Sequence, residues 1–149
     1  MAESFTERFQ QLCREKNLAV THQRLVIYRE VMQMHNHPSP EQVYDRVKPE
    51  LPSISLATVY KTLHTFVETG LIREVSPHHG SMRIEPNEHR HPHFLCLQCR
   101  AITDLSDHEL DFAALKASVP AGFQVEHVST EVRGICGNCL AKNAAQAPN

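Results

Sequence analysis

Apolar residues recur at steps of three and four in four successive segments of the first half of the chain, so the pattern predicts four helices. Ser4-x-x-Glu7 reads as a capping box opening a helix whose apolar stripe is Phe5, Phe9, Leu12 and Cys13. Thr21 is an N-cap for a second helix carrying Leu25, Tyr28, Val31 and Met32. Ser39-Pro40-Glu41-Gln42 supplies an N-cap, a first-turn proline and a Gln at N3 for a third, with Val43, Tyr44, Val47 and Leu51 inward. The fourth starts near Ser55 and stops at Gly70, a favoured residue just past a helix end. Its inner face is Leu56, Val59, Tyr60, Leu63, Phe66 and Val67; its outer face is Thr58, Lys61, Thr62, His64 and Thr65. After Gly70 the period falls to two, and Leu71 to Val75 and Ser81 to Glu85 read as strands joined by Pro77-His78-His79-Gly80.

Helices followed by a hairpin form a winged helix-turn-helix. The outer face of the fourth helix is short, polar and weakly positive, which suits a major groove as well as it suits plain solvent. The hairpin tips the choice towards DNA. In the second half, strands are predicted at His93–Cys96 and Ala101–Leu105, then a helix near Asp107–Val119 with Leu110, Ala114 and Leu115 inward. A longer strand follows near Phe123–Gly134, where Val125, Val128 and Val132 stand out. The expected fold class is α+β: a winged-helix DNA-binding domain over 1–84 and a small α/β metal-sensing and dimerisation domain over 85–149. The hinge is placed at about 85–92 and a frayed tail at 143–149.

The formal charge of −2 over 149 residues hides ten Lys/Arg against nine Asp/Glu in 1–84 and five against eight in 85–149. Neither half is basic enough to announce nucleic acid by charge alone. No apolar run approaches the ~20 residues that span a bilayer, and the charged first ten residues lack a leader's apolar stretch. A cytoplasmic protein with no membrane partner is expected. Cysteines there stay reduced, so paired ones read as metal ligands or redox centres before disulfides. Cys13, on a helix stripe, reads as an inert core thiol.

Cys96-Leu97-Gln98-Cys99 and Cys136-Gly137-Asn138-Cys139 carry two thiolate pairs at the spacing that lets four sulfurs bind one tetrahedral Zn(II) at ~2.3 Å. The rival, a dithiol redox switch, would favour a flanking βαβ context that the pattern lacks. Upstream, His91 and His93 are two apart, and on an extended strand they face one side. With Glu85 before them and Asp104 after, they offer two imidazoles and two carboxylates, a harder set that suits Fe(II), Mn(II) or Zn(II). A polar histidine-rich linker is the other reading, and His78 and His79 are read as filling the wing turn.

Thr21-His22-Gln23-Arg24, Ser55-Leu56-Ala57-Thr58-Val59-Tyr60-Lys61-Thr62-Leu63, Glu68-Thr69-Gly70-Leu71, His91-Pro92-His93 and the two Cys-x-x-Cys motifs resemble the ferric uptake regulator (Fur) family. The likeness runs from about Phe5 to Leu140. It implies a homodimeric repressor that binds palindromic double-stranded operator DNA, with structural zinc on Cys96, Cys99, Cys136 and Cys139. It also implies regulatory Fe(II) or Mn(II) on His37, Glu85, His91, His93 and Asp104. His37 enters by the resemblance only.

Asp104 is similar to the peroxide-sensing (PerR-like) branch, where iron-sensing members have Glu; Glu85 departs from the Asp usual in that branch. The zinc-uptake branch has Cys where this chain has Glu85. The expectation leans to peroxide sensing, with His37 or His91 oxidised when iron is bound; an iron-responsive repressor without peroxide sensing is the alternative. A small zinc-stapled metalloenzyme is the alternative of another class, although no nucleophile constellation accompanies it. By the same resemblance Arg24, Thr58, Tyr60, Lys61 and Thr62 are placed at DNA. Three departures stand out. Ala19 replaces a basic residue associated with minor-groove contact, and Arg100 replaces the usual Gly after the first cysteine pair. Arg90 and Pro92 leave a further metal site without ligands, so none is expected, despite His89 and His127 nearby.

Overall fold

Four side chains set where the first four helices begin. In the computed structural model, which describes residues 4–75, 80–86, 91–106, 111–126 and 128–146, α1 (Phe5–Glu15), α2 (His22–Gln33), α3 (Pro40–Val47) and α4 (Leu56–Glu68) start after Ser4, Thr21, Ser39 and Ser55. Each cap oxygen accepts the amide of the residue three positions on, removing one unpaired donor of the first turn. Ser4–Glu7 and Ser39–Gln42 form full capping boxes. Two helices end alike. Asn17 (φ 53°) and Gly70 (φ 69°) take left-handed backbone, and Leu18 and Leu71 donate back to the Cys13 and Phe66 carbonyls at 2.8 Å.

The chain divides into two units, Met1–Glu88 and His89–Asn149. In the first, α1 to α4 close on a core centred on Phe9, Tyr28 and Phe66, whose rings meet at centroid distances of 5.0 to 6.4 Å. Burying each such ring contributes ~1.5–3 kcal/mol relative to leaving it in water. Cys13 is buried there, and burial pushes its thiol up from the ordinary value. A two-stranded antiparallel ribbon, β1 (Arg73–Glu74) with β2 (Ile84–Glu85), completes the winged helix. Both strands are shorter than the five-residue strands expected, and the expected turn falls largely on 76–79, outside the described residues.

In the second unit β3 (His93–Cys96) is central, antiparallel to β4 (Ile102–Asp104) and parallel to β5 (Glu131–Gly134). Between them lies α5 (Phe112–Ala117), and α6 (Gly137–Ala145) follows β5. The result is α+β, a winged helix followed by a small α/β unit. Three expectations need correction. Ala114 is exposed and Leu115 is 45% exposed, so neither faces inward within its own unit. The strand expected over Phe123–Gly134 is reduced to Glu131–Gly134, the four residues that pair in register with β3; Phe123 is 72% exposed. The tail begins later than 143, because α6 runs to Ala145. Leu110 lies outside the described residues. No helix among the described residues is long and apolar enough to cross a membrane.

Candidate metal centres and nucleic-acid interface

The two cysteine pairs meet because β3 and β5 are neighbours. Cys96 ends β3 opposite Gly134 of β5, and the chain then turns so that Cys136 caps α6 and Cys139 sits in its first turn. Cys96 Sγ lies 3.9 Å from Cys139 Sγ, and Cys99 Sγ lies 3.7 Å from Cys136 Sγ. Sulfurs held tetrahedrally at ~2.3 Å from one zinc are separated by about 3.8 Å, so the four residues fit that ion. The Cys99 and Cys136 amides donate to Cys96 Sγ at 3.5 and 3.3 Å. These amides, with that of Gln98, hold its thiol down at about 6, so it is available as thiolate at neutral pH. Cys139 is pushed the other way, to about 12, first by burial and then by the neighbouring sulfurs. A cation at the centre of the four sulfurs removes that opposition.

Arg100 takes φ 62°, the left-handed backbone a glycine adopts freely. Its amide still donates to the Cys96 carbonyl at 2.9 Å. The replacement of Gly therefore keeps the turn and adds strain to it. Gln98 and Asn143 exchange two amide hydrogen bonds, 3.2 and 3.1 Å, which clip α6 to the first cysteine loop.

The other candidate ligands form one group in each unit. In the first, His37 Nε2 lies 3.2 Å from Glu85 Oε2, with both side chains buried. His37 sits between α2 and α3 with φ 47°, and the Ile84 amide donating to the Pro38 carbonyl at 3.0 Å holds that loop against the ribbon. In the second unit the register of β3 and β4 sets His93 opposite Asp104. Asp104 Oδ1 is 3.1 Å from His91 Nε2 and 3.6 Å from His93 Nε2, and the two imidazole centroids are 4.5 Å apart. One group offers two donors and the other three, each an imidazole–carboxylate set of borderline hardness that suits Fe(II), Mn(II) or Zn(II). His89, Arg90 and His127 lie outside the described residues.

On α4, Lys61 is exposed and Thr58 is half-buried, its hydroxyl 2.8 Å from that of Ser55. Thr62 is 9% exposed and belongs to the buried side, which corrects its assignment to the outer face. Tyr60 is half-buried, and its hydroxyl donates to Glu41 Oε1 of α3 at 2.6 Å. That bond holds the Glu41 carboxyl below its ordinary value and raises the phenol. Arg24 donates to the Ala19 carbonyl at 2.6 Å, so its guanidinium braces the loop before α2. The sequence did not single out Glu41 as a partner of Tyr60; it reads there only as a first-turn acid, and no local signal marks the pairing.

The sequence profile of the Ferric uptake regulator family matches residues 15–133. The peroxide-responsive repressor PerR of Staphylococcus aureus is 33% identical over 129 residues, 87% of each chain. Among solved structures, PerR from Streptococcus pyogenes superposes with a TM-score of 0.51 at 28% identity, covering 93% of this chain and 95% of its own. The Helicobacter pylori ferric uptake regulator Fur gives a TM-score of 0.74 over 91% of both chains; at 19% identity it speaks for the fold alone. A winged helix, a four-cysteine cluster beside a three-stranded sheet, and a profile match over most of the chain agree: the protein belongs to the ferric uptake regulator family.

Proposed function

We propose that the chain is a metal-dependent repressor that binds palindromic operator DNA as a homodimer, with zinc on the four cysteines as a structural staple. The switch is Fe(II) or Mn(II) held jointly by His37 and Glu85 of the first unit and His91, His93 and Asp104 of the second. The supporting observation is that each unit carries an incomplete imidazole–carboxylate set, two donors and three, which one ion would complete. An ion bridging the units would select the orientation in which the α4 helices of a dimer enter successive major grooves. Exposed Phe123, Val132, Leu97 and Leu140 on the second unit support a second copy as its cover. The family consists of transcriptional regulators, so the metalloenzyme alternative is set aside.

Peroxide sensing is the finer reading, supported by Asp104 and by the likeness to peroxide-responsive repressors. The chemistry bound Fe(II) supplies is reduction of peroxide. His37 or His91 would then take up one oxygen atom of the peroxide, the other leaving as water, and would hold the ion less well, so that DNA would be released. Mass spectrometry after aerobic exposure of the Fe(II)-loaded protein tests this. A one-oxygen adduct on His37 or His91, absent from the Mn(II)-loaded protein, is expected. Unmodified protein that still needs Fe(II) for operator binding would replace peroxide sensing with plain iron sensing.

A further inference from the structure

Arg83 lies one residue before β2, half-buried, on the ribbon of the winged helix. Its guanidinium nitrogen is 3.5 Å from the His37 carbonyl and 3.5 Å from Gln42 Oε1. These are long for hydrogen bonds, and at that length the attraction comes mostly from the charge. Gln42 Oε1 also accepts the Ser39 amide at 2.9 Å and so belongs to the cap of α3. The adjacent residue on α3 is Glu41, whose carboxylate accepts the Tyr60 hydroxyl at 2.6 Å. A continuous polar chain therefore runs from the backbone of His37, through Arg83 and the first turn of α3, to an aromatic side chain of α4. Every member lies in the first unit.

We infer that Arg83 is a positioning residue that couples the loop carrying His37 to the DNA-facing helix through Glu41 and Tyr60. The inference rests on the proposed function, in which His37 holds the regulatory ion and α4 meets the operator. Ligation would restrain the His37 imidazole and, with it, the left-handed His37 backbone in that loop. Arg83 passes that restraint to the cap of α3. Glu41 then holds the Tyr60 hydroxyl, fixing the ring on the second turn of α4 in one place rather than several. Freezing that freedom before DNA arrives removes an ordering cost from binding, so metal and operator favour each other.

The test is a coupling measurement on the full-length dimer. Operator affinity is measured by fluorescence anisotropy with and without saturating Mn(II), for wild type, Arg83→Gln, Arg83→Lys, Tyr60→Phe and the Arg83→Gln/Tyr60→Phe pair. The factor by which Mn(II) raises affinity is expected to fall at least fivefold in Arg83→Gln and in Tyr60→Phe. The pair is expected to lose no more than either alone, because both cut one chain. Arg83→Lys, which keeps the cation, should recover part of the factor, and Mn(II) affinity without DNA should stay within twofold of wild type. If Arg83→Gln weakens binding equally with and without Mn(II), Arg83 is only a phosphate contact of the wing and the coupling role is overturned. Wild-type binding that ignores Mn(II) would defeat the proposed function itself. Full Mn(II) enhancement in wild type and variants alike would defeat the coupling alone.

Discussion

Replacing Cys99 by Ser removes one proposed zinc ligand at an exposed position, so little packing is disturbed. Among the described residues of the second unit only Pro92, Leu95, Cys96 and Cys139 are buried, and two of these are themselves proposed zinc ligands. A buried leucine such as Leu95 contributes ~1.5–3 kcal/mol. Structural zinc in small cysteine-bearing peptides contributes ~10–16 kcal/mol at neutral pH. Within a single chain the metal centre therefore outweighs the apolar core of this unit. In a unit this small each lost kcal/mol lowers the midpoint by roughly 4–8 °C, so losing most of the zinc affinity unfolds it at room temperature. The first unit keeps its own core on Phe9, Tyr28 and Phe66 and is expected to melt as before. The assay is zinc per chain by elemental mass spectrometry alongside thermal melting followed by circular dichroism. The expected outcome is zinc-poor protein that has lost the second unit's transition and kept the first's. Zinc-free Cys99→Ser protein with both transitions unchanged would refute the reasoning.

Three further outcomes are expected. Lys61→Ala should weaken operator binding across sequences and reduce the log–log salt slope by about 1, one phosphate contact fewer; titrations at several salt concentrations check it, and an unchanged slope removes Lys61 from the interface. Arg100→Gly should stabilise the second unit by about 1 kcal/mol, because it relieves side-chain strain at φ 62° while keeping the turn; a lower melting midpoint would show that the Arg100 side chain does more than occupy a strained site. The Glu41 carboxyl, held below its ordinary value first by the Tyr60 hydroxyl, contributes stability that is present above the usual carboxylate range and lost as pH falls through the depressed value. Carbon NMR of the Glu41 carboxyl should show its midpoint rising in Tyr60→Phe, and an unmoved midpoint would remove Tyr60 as the cause.

What the sequence shows and hides follows from the range of the forces involved. The helix starts at Ser4, Thr21, Ser39 and Ser55 are legible because a cap is made within four residues. The cysteine spacing is legible for the same reason: each pair binds as a local loop. Thr62 is misread because its burial depends on how α4 packs in the core, which helical periodicity marks only approximately. The strand at Phe123–Gly134 is over-extended because alternation shows that a strand is possible, while its length is decided by the four residues β3 presents to it. The helix α6 is missed although Ala141, Lys142, Ala144 and Ala145 are good helix formers, because it buries Cys139 and carries no apolar stripe at helical spacing. His37 is legible only by resemblance, since 48 residues separate it from Glu85 and nothing local distinguishes it from His35.

The central claim is that metal on the His/carboxylate ligands governs DNA binding. The most direct measurement is the affinity of full-length protein for an operator selected from random DNA, with and without Mn(II), in wild type and His93→Ala. Mn(II) should raise wild-type affinity by roughly 5–150-fold, the range of ordinary allosteric coupling, and His93→Ala should lose that gain while keeping its zinc. Wild-type binding that is equally tight without Mn(II), or a gain that survives in His93→Ala, would contradict it.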